Sequence, residues 1–408
     1  MDVKLKNIVL ACSEDREIVS KQAHYTWIRR CGLDLLLKME ILLANSFGDR
    51  GSDYAYLFVD EINNSNMRNN LFRTAQEVRG GQAVFLSFYS RASRHLKVGR
   101  IWSVAAALKL LIISIPAVVK FIGSNDSINH SMERVLAKTM LSYLQRVDSS
   151  TLFVLMTDHH FFSTVIAMSD VGKTVVLQHG LIQDARFFSP VRANYLYAWS
   201  EKSAILAADE KAVVSGTYKF DVNGYNVGHA VRGLREANNV LLLLSTSVSS
   251  SQIVDRLAPL LKLKMEYGFC LGIKTHPGSL FSLEDLKRAV GERSNIKLYK
   301  EERIEDISFD FAFIEQSTAV IDVACLGIPF IIIDDTDNSY FSSYADLLPI
   351  ARTEDDLIEL SAQFETKRYI PAYTNLLDKE ICAGECKIKE MLASISHDET
   401  LRGQDQNE

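Results

Sequence analysis

Apolar residues in this chain fall in short unbroken runs rather than in strict alternation with polar ones. NIVLAC (7–12), YAYLFVD (54–60), AVFLSF (83–88), TLFVLMTD (151–158), TVVLQHG (174–180) and YLYAWS (195–200) read as strands. Continuous runs of this kind belong to parallel strands buried on both faces. Stretches of helical spacing separate them, at 17–48, 65–79 and 131–146. The pattern breaks after KAVVSGTYKFD (211–221), where the glycine-rich, aperiodic segment 222–239 reads as a linker. A second series follows: VLLLLSTS (240–247), a helix over 251–267, FCLGIKTHPGS (269–279) and a helix over 282–291. NIKLY (295–299), FAFIEQS (311–317), a helix over 318–326 and PFIIIDD (329–335) continue it, with helical segments near 354–364 and 376–394. Strand and helix in repeated alternation predict an α/β protein. Two such series joined by one linker predict two Rossmann-like parallel-sheet lobes facing a cleft. The expected domains are 1–225 on the acceptor side and 236–375 on the nucleotide-donor side, with a C-terminal helix over 376–396 and a disordered tail over 397–408.

Composition narrows the function classes. The chain has 408 residues, 47% hydrophobic and 24% charged, which is globular and long enough for more than one domain. A net charge of −6 gives no reason to expect a nucleic-acid partner. The six cysteines are scattered and form no CxxC pair, so neither a metal site nor a disulfide framework is expected. The start of the chain has no secretory pattern, and a reducing, cytoplasmic setting fits best. One stretch qualifies that picture. IWSVAAALKLLIISIPAVV (101–119) carries a single charge, Lys109, and follows the basic segment RASRHLKVGR (91–100). Lys109 and Pro116 argue against a simple span. A packed helix is the first expectation, and peripheral contact of 91–120 with the inner face of the membrane the second.

Ligands of open parallel sheets bind beyond the carboxyl ends of the strands, so the residues just after the apolar runs are the candidates. The first lobe offers Asp158-His159-His160 and Gln178-His179-Gly180, with Asp184 a little further on. A glycine directly after a strand lets the chain turn sharply and a ligand approach closely, which delivers His179 to the sheet rim. Two adjacent histidines rarely point the same way and no third ligand stands at recognisable spacing, so no metal is expected. In the second lobe, Lys274-Thr275-His276-Pro277-Gly278 ends a strand, and Lys274 with His276 would hold a phosphate. Glu315-Gln316-Ser317-Thr318 ends another and opens a helix, where Ser317 and Thr318 serve as caps, as phosphate ligands, or as both. Glu315 would accept from ribose hydroxyls or from local backbone.

The lysine-x-histidine-proline strand end, followed by glutamate and a hydroxyl pair opening a helix, resembles the HP and paired-serine motifs of bacterial sialyltransferases. A similar layout occurs in the Kdo transferases of capsule synthesis and in CDP-glycerol glycerophosphotransferases. The Gln178-His179-Gly180 element is similar to the histidine-glycine element of the teichoic-acid enzymes. VVSGTYKFD (213–221) resembles the segment that closes the first lobe in this group, with Tyr218-Lys219 where proline-arginine is usual. The resemblance covers about 150 to 330 and implies a GT-B fold. It further implies His276, Ser317 and Thr318 on the donor phosphate, Glu315 near the nucleotide ribose, and His179 beside the reacting groups. The acidic-acidic-glycine triplet that carries the sialyltransferase base is missing, which leaves Asp158, His179, Asp15 and Asp184 as candidates.

These readings lead to a metal-independent glycosyltransferase of bacterial capsule or lipopolysaccharide synthesis. The expected donor is CMP-activated and sialic-acid-like or Kdo-like, the acceptor a glycan or glycolipid, and no further cofactor is called for. Two alternatives stand beside it: a CDP-polyol phosphotransferase and a non-catalytic nucleotide-sugar-binding subunit.

Overall fold

The structure is a computed structural model. It describes residues 151–182, 188–217, 233–245, 250–276, 296–300, 302–315, 317–334 and 340–381, the backbone of 56–60 and 83–87, and separate positions within 7–8, 137–149, 284–288 and 388–395. The chain divides into two compact units. One comprises Met1–Asn63, Met67–Tyr218 and Cys386–Glu408, the other Asn64–Asn66 and Lys219–Glu385.

The first unit holds strands β1 (Tyr56–Asp60), β2 (Ala83–Ser87), β3 (Leu152–Leu155), β4 (Lys173–Leu177), β5 (Tyr195–Ala198) and β6 (Ala212–Val214). Helix α1 (Phe161–Ala167) follows β3 and helix α2 (Glu201–Ala207) follows β5. The sheet order is β2-β1-β3-β4-β5-β6. Every pairing is parallel. Alternate strand residues serve two separate cores. Phe153, Leu155, Val176 and Leu196 pack with Phe162 and Val165 of α1. Leu152, Val154, Val175, Leu177 and Tyr197 pack on the other side with Ile388 and Leu392. Those two residues are helical and four apart, so the end of the chain covers the second face of this sheet. Two-sided cover is what removes polar alternation from the strands.

One predicted strand is corrected. In the run 7–12, Asn7 and Ile8 are helical, and Ile8 is fully buried in the α1-side core. A short apolar run satisfies burial equally well as helix or strand. The apolar stretch 101–119 lies outside the described residues. Among the described residues no helix is long and apolar enough to cross a membrane.

The second unit holds β7 (Asn239–Leu243), α3 (Ser250–Tyr267), β8 (Cys270–Lys274), β9 (Ile296–Tyr299), β10 (Phe311–Glu315), α4 (Ala319–Cys325), β11 (Phe330–Ile333), β12 (Ile350–Ala351), α5 (Glu354–Gln363) and α6 (Thr366–Ile381). The sheet runs β12-β11-β10-β7-β8-β9. Counted from β7, this is the doubly wound dinucleotide-fold order, and the order reverses between β7 and β10. Those two strands pair in parallel from Phe311 opposite Val240 to Ile314 opposite Leu243. Helix α3 stops at Gly268, whose φ of +78° suits a left-handed C-terminal cap. Thr353 opens α5 with a capping box closed by Asp356.

Helix α6 starts at Thr366 rather than near 376, and runs through Pro371. Its inner face carries Tyr373, whose ring stacks on Phe330 at 4.3 Å. The Tyr373 hydroxyl donates to the Phe330 carbonyl at 2.8 Å and accepts from the Phe330 N–H at 3.2 Å. Glu380 is fully buried and accepts from the hydroxyls of Tyr340 and Tyr344. Tyr373→Phe keeps the stack and strands both backbone groups, at a cost of about 1–3 kcal/mol. Urea unfolding checks this, and an unchanged stability would mean that those groups find partners without the hydroxyl.

Candidate functional site

In the first unit, the ends of β3 and β4 are organised by buried polar side chains. Gln178 is fully buried. Its Nε2 donates to the Gly180 carbonyl at 2.8 Å and to the Ser203 hydroxyl at 3.0 Å, and its Oε1 accepts from the Trp199 N–H at 2.6 Å. One amide thus ties the end of β4 to the end of β5 and to α2. The next residue, His179, is half-buried. Its Nδ1 lies 2.8 Å from the Met156 carbonyl. A carbonyl only accepts, so Nδ1 carries the hydrogen in this bond. Phe188 lies alongside, its ring centre 6.0 Å from that of His179.

Asp158 has a different occupation. It is 2% exposed, and its Oδ2 accepts from the backbone N–H groups of Arg192 at 2.5 Å and Ala193 at 2.9 Å. It is an anchor for the 192–193 backbone, an occupation at odds with the role of proton acceptor for a substrate. Arg192 donates through Nη1 to the Asp158 carbonyl at 3.1 Å and to His159 Nδ1 at 3.0 Å. Because a guanidinium only donates, Nδ1 of His159 is the acceptor and Nε2 carries the hydrogen, 3.4 Å from Asp158 Oδ1. Burial pushes the Asp158 carboxyl above its ordinary 3.8, against the opposing pull of His159, the two amides and Arg192. His160 sits at the N-cap of α1. Asp15 and Asp184 lie outside the described residues.

In the second unit, the candidates end the strands on both sides of the β7–β10 reversal. Lys274 closes β8, 4% exposed, and its Nζ donates to the Lys300 carbonyl at 3.3 Å, towards the end of β9. His276, two residues on, is half-buried. Glu315 closes β10, 4% exposed; its Oε2 accepts from the Ser245 N–H at 2.8 Å and its Oε1 lies 3.3 Å from Arg256 Nε. Burial raises its carboxyl, opposed by the Ser245 amide and by Arg256. Ser317 and Thr318 are half-buried. The Ser317 hydroxyl accepts from the Ala319 N–H at 3.1 Å, while Thr318, the residue before α4, makes no side-chain cap bond. Pro277, Gly278 and Gln316 lie outside the described residues.

Arg192 and Arg256 are the partners that sequence reasoning missed. The signal available was indirect: an acid ending an apolar strand must find a cation or donors once it is buried.

No protein-family model matches the chain, and no curated protein matches it. Solved structures are similar over most of its length. The S. aureus MnaA–UDP structure is 10% identical with a TM-score of 0.50, covering 83% of this chain and 94% of that one. The putative UDP-N-acetylglucosamine 2-epimerase from Listeria monocytogenes is 10% identical with a TM-score of 0.50, covering 85% of this chain and 96% of that one. Neither of the two is a sialyltransferase or a Kdo transferase, and at such identity the likeness speaks to fold.

The geometry of Asp158 carries a pH signature. Its raised carboxyl means that the folded state binds the proton more tightly than the unfolded chain does. The stability this contributes is full below the ordinary 3.8 and is lost as the pH rises through the folded value. Asp158→Asn cannot titrate. The difference in unfolding free energy, wild type minus variant, therefore shrinks as the pH rises above the ordinary 3.8. Urea titrations at increasing pH test it, and a difference that grows with pH would mean that the ionised form is the stabilising one. In architecture, the chain has the fold of these two proteins: two parallel-sheet, Rossmann-like α/β units, the GT-B arrangement.

Proposed function

We propose that this chain is a glycosyltransferase of surface-polysaccharide synthesis that takes its sugar from a CMP-activated, sialic-acid-like or Kdo-like donor. One observation carries the reading. In a sheet of dinucleotide-fold order, Ser317 and Thr318 stand half-buried just past β10, which flanks the reversal, and His276 stands half-buried just past β8, the neighbour of β7. Reversal points are where such sheets take nucleotides. One imidazole and two hydroxyls suit a single departing phosphate better than a pyrophosphate, and this favours a CMP-linked donor over a diphosphate-linked one.

The roles follow from the chemistry. The acceptor hydroxyl gives its proton to His179, the candidate general base, as its oxygen bonds to the anomeric carbon. The bond from that carbon to the phosphate oxygen breaks, and CMP leaves with the electron pair. His276 and the hydroxyls of Ser317 and Thr318 stabilise the charge that develops on the leaving phosphate. The acceptor is a glycan or glycolipid. The basic-then-apolar sequence 91–120 supports a peripheral contact with the cytoplasmic face of the membrane.

UDP-sugars are the competing donors, because the MnaA structure holds UDP and the Listeria protein is named for UDP-N-acetylglucosamine. Calorimetric titration with CMP, CDP and UDP separates them. CMP is expected to bind tightest; UDP binding tightest would overturn the CMP assignment, and no binding of any nucleotide would overturn the whole reading. His276→Ala is expected to weaken nucleotide binding by about tenfold or more, the worth of one charge-assisted hydrogen bond. A change under about twofold counts against the phosphate role. His179→Ala is expected to lower turnover by about a hundredfold or more with nucleotide affinity little changed. Parallel losses of turnover and affinity would make His179 a structural residue.

A further inference from the structure

The buried carboxylate of Glu315 is the strongest unabsorbed feature of the second unit. The ribose contact implied by the family resemblance would need at least one of its oxygens open to a ligand. Both are directed into the protein. Oε2 takes the Ser245 N–H at 2.8 Å, the first amide but one beyond β7. Oε1 faces Arg256 Nε at 3.3 Å and is closed off from solvent. Ser245 lies at the end of β7, Arg256 is on α3, and Glu315 ends β10. These are the strand on one side of the reversal, the helix that follows it, and the strand on the other side. A single side chain thus joins the three elements that form the walls of a reversal-point subsite. Arg256 is 24% exposed on its side chain, so it forms the outer edge of this clip.

We propose that Glu315 is a positioning residue. It clips the turn after β7 and the Arg256 side of α3 to the end of β10, and so sets the shape of the nucleotide subsite without touching the nucleotide. This rests on the nucleotide-sugar reading above. Glu315 holds the Ser245 amide and the Arg256 guanidinium with the two oxygens of one carboxylate. Losing the Arg256 contact leaves that buried carboxylate without its counter-charge, and the unbalanced charge acts on the same Ser245 amide. The two contacts therefore act as one unit rather than as independent parts.

The experiment uses Glu315→Gln, Arg256→Met and the double variant, titrated with CMP and with 2′-deoxy-CMP. Glu315→Gln keeps an acceptor oxygen for the Ser245 N–H and discharges the partner of Arg256, so it should behave like Arg256→Met. Each single change is expected to weaken CMP about tenfold and the double change no further, the mark of one coupled unit. The ratio of CMP to 2′-deoxy-CMP affinity is expected to stay at its wild-type value in all three. Unchanged CMP binding in Arg256→Met overturns the clip. So does a Glu315→Gln protein that alone loses the preference for the ribose form, because that result makes Glu315 a ribose ligand. Hydrogen exchange at the Ser245 amide in nucleotide-free protein gives an independent reading. Exchange about tenfold faster in Glu315→Ala than in wild type supports the clip, and equal exchange overturns it. Where wild type binds no nucleotide, the functional reading fails, and the exchange result alone decides for or against the clip. Should Glu315→Ala fail to fold, exchange in Glu315→Gln and Arg256→Met decides in its place: faster exchange in Arg256→Met supports the clip, and wild-type exchange in both overturns it.

Discussion

Parallel strands all finish at the same edge of a sheet, and the backbone groups just past the ladder have no strand beside them to bond. Burying one such group unpaired costs about 1–3 kcal/mol. Much of the polar chemistry at the described strand ends of this protein answers that constraint. Asp158 satisfies two amides of the segment that precedes β5. Gln178 satisfies a carbonyl, an amide and a hydroxyl across three elements. Glu315 satisfies the Ser245 amide beyond β7. Strip these side chains to alanine and the strand ends lose their partners before any substrate is considered.

The same constraint sorts the candidates for chemistry. A polar residue at a strand mouth either turns inward to satisfy the edge or stays half-exposed and available to a ligand. Asp158, Gln178, Lys274 and Glu315 are buried, each hydrogen-bonded to a protein partner. His179, His276, Ser317 and Thr318 are half-buried. The division follows the chemistry of the side chains. Carboxylates and primary amides offer two polar atoms to an edge and can bridge two elements. Imidazoles and hydroxyls bridge less readily: His179 is tied to the Met156 carbonyl through Nδ1, and Ser317 to the Ala319 N–H through its hydroxyl.

Sequence legibility followed the same physics. The strand runs from 151 onwards were readable because two-sided burial removes polar alternation, and the first unit's sheet does have cover on each side of the kind those runs imply. The restart at 240 was readable from the return of unbroken apolar runs. Strand order was not readable, since nothing local in FAFIE records that it pairs with NVLLL some seventy residues earlier. The partners of the buried acids were invisible for the same reason: Arg192 and Arg256 stand 34 and 59 residues from Asp158 and Glu315 along the chain. The start of α6 was hidden by Pro371, a residue that argues against a helix interior. Its buried face, with Tyr369, Ala372, Tyr373, Leu376, Leu377 and Glu380 at helical spacing, outweighs that local cost.

The two histidines past β3 and β4 show how little residue type decides by itself. His159 and His179 are both neutral-capable imidazoles close to the same strand ends. A guanidinium beside Nδ1 of His159 makes that nitrogen the acceptor and sends the ring hydrogen to Nε2, towards Asp158. A carbonyl beside Nδ1 of His179 does the reverse and makes that nitrogen the donor. The same ring type thus presents the same nitrogen in opposite roles one strand apart, because Met156 contributes a backbone oxygen where Arg192 contributes a cation.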